Sequence, residues 1–188
     1  MKEVIRVSVP LTEAVARSLK AGDDVLISGP VFVARDAAHK RLIEALEAGE
    51  PLPVDFENGV VYYMGPSPAL PGHAIGAAGP TTSGRMDKYT PEIIARGLKG
   101  MIGKGQRSAA VVKAMQEHGC VYFAAIGGAG ALNSKRIKSY KVIAYDDLGP
   151  EALSIIEMED FPATVVIDCE GDNQYIKGQR EYCEPEQR

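Results

Sequence analysis

The sequence predicts an α/β fold built around a mixed sheet, and three observations lead there. β-Branched, apolar stretches of strand length alternate with amphipathic stretches of helix length. Some strand-like stretches also follow one another directly, which makes the sheet mixed rather than purely parallel. The chain has 188 residues, 45% hydrophobic and 24% charged, enough to bury a core without disulfides or metals. A single domain over residues 1–175 and a polar tail over 176–188 are expected.

The elements follow in order. "VIRVSVP" alternates and is β-branched, so it reads as a strand. "LTEAVARSLKAGD" reads as a helix with Thr12 as its N-cap and Ala21-Gly22 as its stop. "DVLISGPVFVAR" is apolar and β-rich, interrupted by Gly29-Pro30, and reads as two short strands or one broken strand. "DAAHKRLIEALEAGE" is an amphipathic helix with Ala38, Leu42, Ile43 and Leu46 on one face and Asp36 at the cap. "VVYYMGPSP" is a strand that ends at Gly65-Pro66. A long Gly/Pro/Ala loop follows it, and long ordered loops in compact domains tend to carry function. Thr90-Pro91 starts a helix, with Thr as cap and Pro in the first turn. "RSAAVVKAMQEHG" is a helix ended by Gly119, and "CVYFAAIGG" is a buried strand. "YKVIAYDDLG" and "PATVVIDCEG" read as two more strands, with "PEALSIIEME" between them as a helical turn.

Composition excludes several functional classes. A net charge of −4 and a pI near 5.5 do not suit a general nucleic-acid or anionic-membrane binder. No apolar run reaches the length of a bilayer span, and the charged N-terminal stretch has no signal-peptide core, so a cytoplasmic location is expected. Cys120, Cys169 and Cys183 lie far apart and lack metal-site spacing, which reads as reduced thiols and no metal ligands.

The glycine-rich segments fail as nucleotide motifs. From Gly128 the dinucleotide pattern gives Gly128 and Gly130 but then Asn133 where a glycine is needed. "GLKGMIGKG" has Lys104 without the following Ser/Thr of a phosphate loop. No G-x-S-x-G nucleophile elbow is present. His39 and His118 read as surface or capping residues, while His73, inside the long loop, is the histidine placed nearest a site.

The stretch "GAAGPTTSGRMDKYTPEII" carries the strongest chemical signal. Thr81, Thr82 and Ser83 offer hydroxyls, Gly84 allows exposed backbone N–H groups, and Arg85 offers a planar fork for a carboxylate. The same residues also fit a turn whose arginine pairs with a surface acid. Arg35 and Lys104 add two more cations at strand–helix junctions, and three cations so placed suit a small dicarboxylate.

At this point the motifs acquire a likeness. "ARDAAHKRL", "YMGPSPA", "AAGPTTSGRMDKYTP", "GLKGMIGKGQRS", "FAAIGGAGAL" and "IEMEDFPATVVIDCEGDNQY", in this order, resemble the β subunit of class I fumarate hydratase, or the C-terminal domain of its single-chain form. The β subunit of L(+)-tartrate dehydratase is similar. The chain departs from the family pattern at Ala34, where glycine is usual.

The resemblance implies a swivelling β/β/α domain that closes over a 4Fe–4S cluster held by a partner α subunit, with no metal bound by this chain. It implies an oxygen-sensitive hydro-lyase assembled as a hetero-oligomer, the isolated chain having a homo-oligomer as its alternative. The reaction implied is reversible hydration of fumarate to (S)-malate, with tartrate dehydration or non-catalytic dicarboxylate binding as alternatives. Carried over by motif, Arg35 and Arg85 bind substrate carboxylates, and Thr81, Thr82 and Lys104 are catalytic, with Thr81 exchanging the proton at carbon.

Overall fold

A computed structural model describes residues 3–183. Among these, the strands are β1 (Ile5–Ser8), β2 (Asp24–Val33), β3 (Val60–Tyr62), β4 (Gly100–Gly103), β5 (Val121–Ala124), β6 (Ile137–Ala144) and β7 (Leu153–Ile167). The helices are α1 (Glu13–Ser18), α2 (Asp36–Glu47), α3 (Thr90–Ala95), α4 (Ala109–His118), α5 (Gly130–Ser134) and α6 (Gln174–Tyr182). Two 3-10 turns, Ser83–Met86 and Asp146–Glu151, complete the described elements.

The mixed sheet expected from the sequence is present. Strands β1 to β5 run parallel in chain order, and β7 and β6 join antiparallel after β5. β7 also pairs antiparallel with β2 along most of its length, so β2, β3, β4, β5 and β7 close into a ring. Alternation along a strand sends successive side chains to opposite faces. Val60, Tyr62 and Met64 therefore join a core shared with Ile27, Ile102, Phe123 and Phe161 of the other ring strands. Val61 and Tyr63 face a second core, against Leu42 of α2, Ile93 and Ile94 of α3, and Met115 of α4.

Several sequence expectations are confirmed residue by residue. Thr12 caps α1 by accepting from the N–H of Val15 at 3.4 Å, although the helix stops at Ser18, before Ala21-Gly22. α4 runs from its Ser108 cap to Gly119, which takes the left-handed conformation that glycine adopts without strain. β2 is one strand with a bulge between Ile27 and Gly29. At Gly29 φ is 117°, and a methyl group would collide with the carbonyl of Val9.

Others are corrected. The residue before the first turn of α2 is Arg35, so Asp36 is the first helical residue rather than the cap. Likewise Tyr89 precedes α3, and Thr90 lies inside it with its hydroxyl donating to the carbonyl of Met86 at 2.9 Å. β3 ends at Tyr62, with Met64 making a bridge to Pro80, short of Gly65-Pro66. "PEALSIIEME" is not a helical turn. From Leu153 onward it is the first half of β7, and "PATVVIDCEG" supplies the second half. An isolated turn there would leave Leu153, Ile156 and Met158 exposed, whereas a strand buries them between β2 and β6. Asp160, with φ at 49°, takes up the bend that Asp-Phe-Pro suggests as a break. Residues 184–188 of the expected tail lie outside the described residues, and α6 covers most of the rest.

Candidate functional site

Parallel strands present the residues that follow them at one edge of the sheet, and ligands in α/β folds gather at that carboxyl edge. Arg35 lies just beyond β2 and Lys104 immediately after β4. Thr81 returns to the end of β3, where its N–H donates to the carbonyl of Tyr63 at 2.8 Å. The long loop between them is pinched at its neck by Ser67, whose N–H donates to the Ala77 carbonyl at 3.2 Å and whose hydroxyl accepts from the Ala77 N–H at 2.8 Å.

The Thr81–Thr82 segment is stitched to β4. Thr82 and Lys104 form a parallel bridge. The N–H of Ser83 donates to the carbonyl of Lys104 at 2.9 Å, and the Lys104 N–H donates to Ser83 Oγ at 3.2 Å. Tyr122 on β5 donates its phenol to Ser83 Oγ at 2.9 Å and contacts the Gly105 carbonyl at 3.0 Å. Beneath this junction Arg107 is fully buried between the rings of Tyr63 and Tyr122, its Cζ 5.2 and 5.1 Å from their centroids. Its charge is met by Asp87, with Nε donating to Oδ1 at 2.7 Å, and Nη2 donates to the Thr90 hydroxyl at 2.9 Å. A buried, paired guanidinium of this kind fixes the loop that follows Lys104. The Lys104 ammonium itself is exposed, lies alongside Gly127 after β5, and has no ion-pair partner among the described residues.

The 3-10 turn after Thr82 carries Arg85 across to α2. There Arg85 Nε donates to Asp36 Oδ1 at 2.9 Å, and Nη2 donates to Asp36 Oδ2. The Arg85 bond holds the Asp36 carboxyl below its ordinary range. Asp36 Oδ2 also lies 4.0 Å from Nε of Arg35. Arg35 Nη2 stands 3.3 Å from Glu151, which in turn accepts from the Ala37 N–H at 2.9 Å. The Arg35 guanidinium rests on Gly65, where a side chain would displace it. Asp36 thus joins Arg35 to Arg85 by side-chain contacts, and Ser83 joins the Thr81–Thr82 segment to the Lys104 backbone.

The histidines fall elsewhere. His39 is neither a surface nor a capping residue: it is buried in α2, where Ala38 and Leu42 also turn inward, and its Nδ1 donates to the Arg35 carbonyl at 2.8 Å. Burial, with a smaller contribution from the Arg107 charge, lowers its pKa to about 4. His118 ends α4, and its carbonyl accepts from Lys99 Nζ at 2.5 Å. His73 lines a groove of about 430 Å³ with Leu70, Ala131 and Lys135, apart from the cation cluster. A cavity of about 780 Å³ lies near Lys99 and His118, at the opposite ends of the strands from Lys104.

Four contributors escape a reading by sequence: Asp36, Glu151, Ser83 as a junction, and the Arg107–Asp87 pair. Only adjacency to Arg35 and Thr82 signals the first and third. Among the described residues no group of three His, Cys, Asp or Glu side chains stands where a metal ion could be held. Cys120 and Cys169 are buried free thiols and Cys183 is an exposed one.

The chain matches the family described as "Fumarase C-terminus" over residues 1–178. It is 41% identical over 158 residues to fumarate hydratase 2 of Leishmania major, covering 83% of this chain and 28% of that protein. It is 37% identical over 187 residues to the aerobic class I fumarate hydratase of Escherichia coli strain K12, covering 96% and 34%. The chain therefore spans about a third or less of these two relatives. It is 34% identical over 171 residues to a protein of Methanocaldococcus jannaschii named as a putative L(+)-tartrate dehydratase subunit beta, covering 88% of each chain.

Proposed function

Because the chain belongs to the fumarase C-terminal family, we propose that it is the substrate-gripping half of a two-part hydro-lyase that hydrates fumarate reversibly to (S)-malate. What supports this reading is that Arg35, Thr81 and Lys104 lie at the carboxyl ends of parallel strands, with Arg85 joined to Arg35 through Asp36 and Thr82 bridged to Lys104. Three cations and two hydroxyls suit a small dianion that must exchange a proton at carbon.

Removing a proton beside a carboxylate builds negative charge on that carboxylate. Preorganised cations placed where the charge develops lower the barrier. Arg85 and Lys104 fill that role here, and Arg35 orients a carboxylate. Thr81 exchanges the proton at carbon, with Thr82 beside Lys104 as its relay. A threonine hydroxyl is a weak base, and neighbouring cations favour its ionised form.

The resemblance assigns a 4Fe–4S cluster to a partner α subunit. The free cysteines and acids described here form no ligand set for it, and none of the steps above runs through it. An exposed half-site fits a chain completed by that partner, in the cytoplasm. The match over 88% of each chain with the tartrate dehydratase subunit favours tartrate as the second reading.

The test is anaerobic co-expression with the cluster-bearing partner, followed by assays with fumarate, (S)-malate and L(+)-tartrate. Turnover that requires both chains is expected, faster with malate than with tartrate. An assembled, cluster-loaded pair that turns over none of them sinks the reading.

A further inference from the structure

Arg85 is already held by a carboxylate of its own chain, and the edge of the guanidinium that is used decides what this means. A guanidinium has two edges that can grip a carboxylate with parallel bonds: the side edge, Nε with one Nη, and the end edge formed by both Nη atoms. Asp36 takes the side edge of Arg85, through Nε and Nη2. Nη1 makes no hydrogen bond among the described residues, and the Arg85 side chain is 45% exposed. The end edge is open.

We propose that Asp36 is a positioning residue: it clamps the side edge of Arg85 so that the end edge faces a substrate carboxylate. This rests on the reading of Arg85 as a substrate arginine. Three features support it. Asp36 sits in the first turn of α2, so its carboxylate is fixed by a helix and favoured by the helix dipole. The same carboxylate lies 4.0 Å from Nε of Arg35, and thereby lets two cations share a surface before any dianion arrives. Arg35 and Arg85 are 50 positions apart in sequence order (85 − 35), and the Asp36 side chain joins their two segments. The contrary role, a built-in competitor that occupies the place of substrate, predicts the opposite response to its removal.

Succinate, an unreactive dicarboxylate, is the probe for the isolated 188-residue chain, read by calorimetry and by the Nε–H signal of Arg85 in arginine-labelled protein. Asp36→Asn keeps size and helix position but replaces one acceptor oxygen by a donor. Its succinate Kd rises by about 10-fold, Asp36→Glu restores most of the affinity, and in an Arg85→Lys background Asp36→Asn changes Kd by less than about 2-fold. In the assembled enzyme Asp36→Asn raises KM by a similar factor, while a helix-stabilising role alone moves only thermal stability. Tighter or unchanged succinate binding by Asp36→Asn overturns the proposal, as does an equal loss in the Arg85→Lys background. A wild-type Arg85 signal that ignores succinate also overturns it. If the assembled wild type turns over neither fumarate nor tartrate, the enzymatic reading falls, while the succinate titration still decides the role of Asp36.

Discussion

Ser83 and Lys104 hold each other by two hydrogen bonds, the Ser83 N–H to the Lys104 carbonyl at 2.9 Å and the Lys104 N–H to Ser83 Oγ at 3.2 Å. That reciprocal contact sets Thr82 beside Lys104 and ties the threonine turn to the central strands. A methyl group at Gly103 would run into the Ser83 hydroxyl. Ser83→Ala leaves the part-buried Lys104 N–H without its acceptor, costing about 1 kcal/mol of stability. Gly103→Ala costs more, because it pushes the whole turn outward. In the double variant the remaining contacts, at 3.1 and 3.3 Å, are only tight. The two losses are therefore less than additive, which denaturant unfolding of the four proteins measures.

Gly65 is a seat for Arg35. A Cβ there would meet the Arg35 guanidinium, with Cδ and Cζ at 3.1 and 3.2 Å. The obstructed atoms are the far end of a flexible side chain, and φ at Gly65 is not in the left-handed region. Gly65→Ala therefore folds normally but swings Arg35 off its perch. The expected result is a melting temperature changed little and a kcat/KM lowered by about 10-fold or more in the assembled enzyme. A large loss of stability with unchanged kinetics contradicts the placement of Arg35.

Much of this architecture is legible in the sequence, because local signals agree with tertiary demands. Ser108 and Gly119 bracket α4 as their capping chemistry requires, and Thr12 caps α1. β7 is not legible as one strand, since Asp-Phe-Pro in its middle is a local break that only pairing with β2, β5 and β6 overrides. In the candidate site, the cations and hydroxyls announce themselves by residue type. Their supports do not: the Asp36 carboxylate finds Arg85 across 49 positions, and Arg107 is buried between the rings of Tyr63, just after β3, and Tyr122 on β5. Of the two sequence readings of Arg85, partner of an acid is the one the Asp36 bonds show, and the unbonded end edge of its guanidinium leaves room for the substrate fork we propose.

Arg85→Ala and Thr81→Val separate gripping from proton transfer. The first removes a charge-assisted contact and lowers kcat/KM by about 10²-fold or more, with KM raised. The second keeps shape but removes the hydroxyl, so KM changes little while kcat drops by about 10²–10⁴-fold. Solvent deuterium wash-in to malate, followed by mass spectrometry, checks the second independently. Wash-in at the wild-type rate in Thr81→Val assigns the proton to another group.

His39 makes the stability of this corner depend on pH in a defined window. The ring is buried at 2% exposure and donates from Nδ1 to the Arg35 carbonyl, so the folded protein keeps it neutral. Burial, helped by the Arg107 charge and opposed by the Arg35 carbonyl and Asp36, lowers its pKa from 6.5 to about 4. Between those values the unfolded chain binds a proton that the folded chain refuses. Stability is therefore unaffected by this group above pH 6.5 and falls as pH drops toward 4, by about 3 kcal/mol in all. The carboxylates whose pKa is lowered lose their contribution only below 4.5 for Glu13 and below 3.8 for Asp36 and Asp147, so pH 5 to 7 isolates the histidine. Urea unfolding of the wild type is expected to lose about 2 kcal/mol between pH 7 and pH 5. His39→Asn, whose side-chain amide places an N–H where the ring Nδ1–H stood, starts less stable but loses much less over that interval. Equal slopes in the two proteins show that His39 takes up its proton in the folded state, and the buried seat behind Arg35 is then open to water.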